Sequence, residues 1–167
     1  MGKIGIYKTR LDEYRYPVLV MEGTKYCYDA RKRYNSPDVI AEFCINELNL
    51  NLEAEEYVYA FALDGAGRLA ALFEISHGSS DYSIITPREV FQKLLAVNAS
   101  SFVLVHNHPS GDVTPSRQDE EVTKRLKQAG DIMNVPLVDH IIIGDKCFFS
   151  YREEKGELNE LCSNKVG

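Results

Sequence analysis

Two histidines, a serine and an aspartate in one short stretch are the residues best suited to chemistry. His106 and His108 are separated by one residue at the end of an apolar run, and side chains two apart on a strand point to the same side. Ser116 and Asp119 lie where the next helix is expected to begin, so they are neighbours on its first turn. Two imidazoles, one carboxylate and one exchangeable position make a catalytic zinc site.

Such a site lowers the pKa of a zinc-bound water toward about 7, and it also needs a proton acceptor and a donor to the oxyanion. A His-x-His pair alone is weak evidence, because many such pairs are structural. The full spacing from His106 to Asp119, with Ser116 between, is much more specific. His140 precedes three isoleucines and is expected to be a hydrogen-bonded core residue or an outer partner of the site, while His77 lies in a Gly/Ser-rich loop.

Elements that alternate between helix and strand must position these residues. Ser36-Pro37 is typical of a helix start, and Thr86-Pro-Arg-Glu89 has the form of a capping box. Apolar patterning predicts helices over 37–50, 87–98 and 119–130, with Gly130 near the stop of the last, and strands over 57–63, 69–75, 102–106, 137–143 and 147–151. The fold class is therefore α/β or α+β.

The chain divides into three predicted parts. Residues 1–35 read as a β-rich N-terminal extension with a turn at Glu22-Gly23, residues 36–152 as the main domain, and residues 153–167 as a polar C-terminal tail. Tyrosines interleave with Lys and Arg before residue 35, which suits either stacking on a nucleic acid strand or the solvated face of a hairpin. We favour the hairpin face.

Composition narrows the classes of function. The 167 residues are 44% hydrophobic and 26% charged, with no apolar run of membrane-spanning length and no secretory signal pattern, so we expect a cytoplasmic protein with no membrane partner. Residues 1–34 carry eight Lys/Arg and four Asp/Glu, a net +4, against a net −10 for the rest. An acidic main body does not suggest a protein that coats nucleic acid.

The string His106-Asn-His-Pro-Ser-Gly-Asp-Val-Thr-Pro-Ser-Arg-Gln-Asp119 resembles the JAMM metal motif of RadC-like proteins. Thr86-Pro-Arg-Glu-Val-Phe91 and Asp139-His-Ile-Ile-Ile-Gly144 are similar to flanking stretches of the same family. The resemblance covers about residues 36–151. It implies a cytidine-deaminase-like α/β/α sandwich of the MPN/JAMM type and a zinc ion (Zn2+) held by His106, His108 and Asp119.

The resemblance also implies two catalytic residues. Ser116 matches the position that supports the transition state, and Glu56 matches the acid/base glutamate that precedes an earlier strand. Glu55 is an alternative if the strand register slips by one residue, and Glu74 is a weaker one. A solvated carboxylate at a strand end is the simpler interpretation of each.

These residues predict a zinc-dependent amide hydrolase, a metallopeptidase or isopeptidase-like enzyme with a peptide or isopeptide substrate. The alternative is a DNA repair or mobile-element accessory protein of the RadC type that acts through association with nucleic acid. Longer RadC-like proteins carry a helix-hairpin-helix segment, which residues 1–35 do not resemble, so we place the DNA role second. A scaffold without activity is disfavoured by the intact ligand set.

Overall fold

Helices and strands alternate along the chain around one mixed sheet. The computed structural model describes residues 2–29, 32–78, 85–153 and 159–160. Within those ranges the sheet has eight strands in the order β2-β1-β4-β3-β5-β6-β7-β8. The strands are β1 (Gly2–Leu11), β2 (Pro17–Tyr28), β3 (Tyr57–Leu63), β4 (Leu69–His77), β5 (Ser101–Asn107), β6 (Leu137–Ile143), β7 (Cys147–Ser150) and β8 (Asn159–Glu160). The helices are α1 (Pro37–Asn46), α2 (Pro87–Ala96) and α3 (Arg117–Met133), with a short 3₁₀ helix at Leu50–Leu52.

Helices cover both faces of the central strands. On β3, Tyr59 and Phe61 face the core that α1 contributes to, while Val58 and Ala60 face the core of α2 and α3. A strand covered on both sides is apolar throughout instead of alternating, which explains the sequence Tyr-Val-Tyr-Ala-Phe-Ala-Leu. This confirms the expected α/β fold class with helices on either side of a sheet.

Helices α1 and α3 differ from their predicted bounds for local reasons. Helix α1 ends at Asn46 rather than near Leu50, because Asn49 adopts a left-handed conformation before the 3₁₀ turn. Helix α3 continues through Gly130 and ends at Met133, where the left-handed Asn134 is the C-cap, so the predicted stop at Gly130 is wrong. A Cβ at Gly130 would lie 2.8 Å from the Val135 carbonyl oxygen, so glycine there lets the following chain cross the helix closely.

The N-terminal β-rich segment joins the same sheet. Strand β1 pairs antiparallel with β2 and parallel with β4, through Ile6–Leu72 and Tyr7–Phe73. The predicted turn at Glu22-Gly23 is wrong, because both residues lie inside β2. The chain instead turns after Asp12, whose Oδ1 accepts the backbone N–H groups of Tyr14 and Tyr16 at 2.9 and 2.8 Å.

The tail from 153 onward lies outside the described residues, apart from Glu153 and the short strand β8. No helix in the described part of the chain is long and apolar enough to cross a membrane.

Candidate metal centre

The two histidines of the motif meet at the end of strand β5. His106 is the penultimate residue of the strand and is fully buried, and His108 follows the strand with its backbone N–H on the Ile143 carbonyl of β6. The Nε2 atoms of the two rings lie 3.0 Å apart. Strand alternation thus brings both imidazoles to one point, as the spacing predicts.

Helix α3 brings a carboxylate to the same point. Asp119 is fully buried on the first helical turn, with Oδ1 3.1 Å from His106 Nε2 and Oδ2 3.5 Å from His108 Nε2. Its orientation is set by a capping box, in which Ser116 N–H donates to Asp119 Oδ2 at 2.6 Å and Ser116 Oγ accepts from Asp119 N–H at 3.2 Å. Ser116 therefore begins the helix and positions Asp119.

One atom in this cluster lacks a hydrogen bond. Asp119 Oδ1 is buried and accepts none from the described residues, although His106 Nε2 lies close to it. A buried carboxylate oxygen without a donor is costly, and a cation at this position would satisfy it. Two imidazole nitrogens and a carboxylate oxygen are also a donor set that suits a divalent metal, so the residues fit the ion that the motif implies.

Charge and tautomer favour metal binding as well. Burial would raise the pKa of Asp119, but the nearby His106 and His108 rings and the Ser116 N–H hold that pKa far below its ordinary value, so the carboxylate is ionised. His108 Nδ1 lies 2.6 Å from the Asp112 carbonyl oxygen, which can only accept, so Nδ1 carries the proton. In the neutral ring, the lone pair is then on Nε2, the atom that faces Asp119.

Glu56 lies at the edge of this cluster. Its Oε1 is 3.9 Å from His106 Nε2, its side chain is 12% exposed, and its carboxylate falls within 4.8 Å of ligand atoms of His106 and His108. Of the alternatives, Glu55 is exposed and Glu74 instead contacts His77 at 2.9 Å. Glu56 is the one of these three carboxylates that the structure brings to the histidines.

Asn107 holds the backbone on both sides of Glu56. Its side chain accepts the Tyr57 N–H at 2.8 Å and donates to the Glu55 carbonyl at 3.0 Å. Because β5 alternates faces, Asn107 points away from the histidines on either side of it and toward the start of β3. Sequence reasoning missed this residue; the available signal was a polar side chain within an otherwise apolar strand.

Of the two remaining histidines, His140 lies next to the cluster and His77 lies on the surface. His140, on β6, is fully buried behind His106, with its Nε2 2.9 Å from His106 Nδ1. Burial, together with the nearby His106, lowers the pKa of His140 well below its ordinary value, so the ring is neutral. His77 is exposed and stacks on Tyr57 with ring centroids 5.4 Å apart.

The comparison with known proteins agrees with this geometry. The model of the RadC-like JAB domain family matches residues 34–157, and the chain belongs to that family. It is 41% identical over 124 residues to a UPF0758 protein of Geotalea uraniireducens, which covers 74% of this chain and 54% of the relative. It is 48% identical over 103 residues to a UPF0758 protein of Thermotoga maritima, which covers 62% and 46%.

The recognised resemblance to RadC-like proteins is therefore confirmed. The chain spans about half the length of the curated relatives that it matches. The names of these relatives state no activity, substrate or partner.

Proposed function

We propose that this chain is a zinc-dependent amide hydrolase, a metallopeptidase or isopeptidase-like enzyme. Membership of the JAB domain family supports metal-dependent hydrolysis as the general class. The observation that carries the proposal is Asp119 Oδ1, which is buried without a hydrogen bond and lies 3.1 Å from His106 Nε2, itself 3.0 Å from His108 Nε2.

Zinc is the metal that best suits this donor set. His106, His108 and Asp119 would supply three ligands and leave one position exchangeable, which is the arrangement of catalytic rather than structural zinc sites. When bound, the ion would supply Lewis-acid polarisation of a carbonyl and a water that ionises near neutral pH.

Glu56 is the proposed acid/base residue. Its carboxylate is near His106 yet partly open to solvent, so it can take a proton from water and deliver one to the leaving nitrogen of an amide. The Asn107 side chain is bonded to the backbone on both sides of Glu56 and so ties the segment that carries this carboxylate to the end of β5.

Ser116 is the proposed donor to the developing oxyanion. Its oxygen accepts the Asp119 N–H, and a hydroxyl that accepts one bond keeps its own proton to donate elsewhere. We assign that proton to the carbonyl oxygen of the scissile amide. The helix-capping and catalytic roles of Ser116 are compatible because they use different atoms of one hydroxyl.

The proposal is tested by hydrolysis under control of the metal. Peptides and peptides joined through a lysine side chain are incubated with zinc-loaded protein, with chelator-stripped protein and with protein given zinc again, and products are identified by mass spectrometry. We expect cleavage that is lost on chelation and restored by zinc. Cleavage that persists after chelation, or in His108→Ala, would show that this site is not the source of the activity.

A further inference from the structure

A chain of three short contacts runs from the proposed ligand His106 back to helix α3. His106 Nδ1 lies 2.9 Å from His140 Nε2, and His140 Nδ1 lies 2.6 Å from Thr123 Oγ1. Thr123 Oγ1 in turn lies 2.6 Å from the carbonyl oxygen of Asp119, one helical turn earlier. We call Thr123 and His140 the Thr123–His140 relay.

The donor and the acceptor in each of these three hydrogen bonds can be assigned in one consistent way. The Asp119 carbonyl can only accept, so Thr123 uses its single hydroxyl proton there. Thr123 Oγ1 must then accept from His140 Nδ1, which therefore carries the proton of that neutral ring. His140 Nε2 is left with a lone pair and accepts from His106 Nδ1–H.

We propose that Thr123 and His140 are positioning residues that fix the tautomer of His106 and so direct its Nε2 lone pair to the metal. This inference rests on the proposed metal centre and deepens it. Neither residue is itself a ligand. The relay begins and ends on groups of the same site, because Asp119 offers its side chain to the metal and its backbone carbonyl to Thr123.

Without the Thr123 hydroxyl, the donor and acceptor roles of His140 and His106 would reverse. His140 Nδ1 would lose its acceptor, and the ring would gain by moving its proton to Nε2. That proton would then point at His106 Nδ1, and His106 would have to carry its own proton on Nε2, where a metal cannot bind. Outer partners of histidine ligands act in this way in metal sites in general.

The first test is zinc affinity, measured on the whole chain by competition with a chromophoric chelator. Thr123→Val keeps the shape of the side chain but removes the hydroxyl, and we expect zinc binding to weaken by about 10- to 100-fold. Thr123→Ser keeps the hydroxyl and is the matched control, with affinity near that of the wild type. Equal affinity of a folded Thr123→Val and the wild type would overturn the proposal.

The second test reads the tautomer directly, in metal-free protein. Long-range proton–nitrogen NMR correlations of ¹⁵N-histidine-labelled protein, at mildly alkaline pH, should show His140 protonated on Nδ1 and bare on Nε2. Thr123→Val should reverse that assignment and Thr123→Ser should not. A wild-type His140 protonated on Nε2 would overturn the relay even if Thr123→Val failed to fold.

The two tests separate this inference from the proposed function. If the wild type binds no zinc, the metal centre itself fails, and the NMR assignment still decides the relay. If the wild type binds zinc and Thr123→Val binds it equally, the metal centre stands and the relay alone is wrong.

Discussion

The proposed metal centre and the tip of the β1–β2 hairpin differ in how their polar side chains are held. At the centre, His106 and Asp119 are fully buried and are contacted through specific atoms from β5, β6 and α3. At the hairpin tip, Tyr14 and Tyr16 are 72% and 67% exposed, and the turn is held by their backbone N–H groups on Asp12.

Because of that difference, the buried cluster indicates a function more specifically than the exposed hairpin tip does. A buried cluster with one unsatisfied carboxylate oxygen favours a cation as its ligand. An exposed pair of tyrosines in a basic segment, residues 1–34 with net charge +4, would suit an anionic strand but equally suits solvent. The hydrolase proposal is built on the first region, and the DNA alternative depends on the second.

The largest expected effect is on catalysis at Glu56. Glu56→Gln keeps the shape of the side chain but cannot accept a proton, so zinc should remain bound while hydrolysis falls by about 100- to 10,000-fold. The matched control is Glu55→Gln, which changes an exposed neighbour and should turn over normally. If Glu55→Gln loses activity and Glu56→Gln keeps it, the acid/base residue is Glu55.

The second-largest expected effect is that of Ser116→Ala, on both turnover and stability. Loss of an oxyanion donor lowers turnover by about 100- to 1,000-fold, and loss of an N-cap costs about 1 kcal/mol of stability. Steady-state kinetics and thermal denaturation measure the two effects separately. Near-normal turnover with only the loss of stability would leave Ser116 as a cap, and another group would have to support the oxyanion.

Stability should distinguish the two regions directly. Asn107→Ala leaves the Tyr57 N–H and the Glu55 carbonyl without their partner, and we expect it to lower the free energy of unfolding by roughly 1–3 kcal/mol. Tyr14→Ala, on the exposed tip, should change it by less than about 0.5 kcal/mol. Denaturant titration of both variants measures the contrast. Equal losses would mean that the hairpin tip is as constrained as the centre.

The smallest expected effect is on DNA. We expect weak, salt-sensitive binding that depends on residues 1–34, with dissociation constants no tighter than about micromolar at near-physiological salt. Fluorescence anisotropy over a range of salt concentrations, with Arg15→Ala and Tyr16→Ala as comparison variants, measures it. Sub-micromolar binding lost in these variants would favour the DNA role for the hairpin.

Local patterns predicted which candidate residues lie close together better than they predicted the contacts that hold those residues in place. The convergence of His106, His108 and Asp119 follows from strand alternation and the first turn of a helix, both of which are short-range properties. The bounds of β3 and β6 likewise match the apolar runs Tyr57–Leu63 and Leu137–Ile143. The bonds of Asn107 to residues 50 or more positions away, and of Thr123 to His140, depend on tertiary packing that no local pattern reports.

The errors at the hairpin have a physical cause. The sequence predicts Gly23 as a turn residue, yet it pairs with Ile6 beside a register shift between β1 and β2, where glycine suits an irregular strand. The real turn contains no glycine and depends on the Asp12 carboxylate and a left-handed Arg15. A turn that is stabilised by hydrogen bonds to a side chain is harder to predict from sequence than a turn that contains glycine.

The most direct test of the metal centre is the zinc content of the purified chain. Wild-type protein prepared without chelators should hold about one zinc per chain by elemental analysis, and His106→Ala and His108→Ala should lose it while staying folded. His77→Ala is the matched control, because His77 is exposed and stacks on Tyr57, and it should keep the metal. A wild type that contains no zinc and binds none when it is added would contradict the metal centre and the hydrolase built on it.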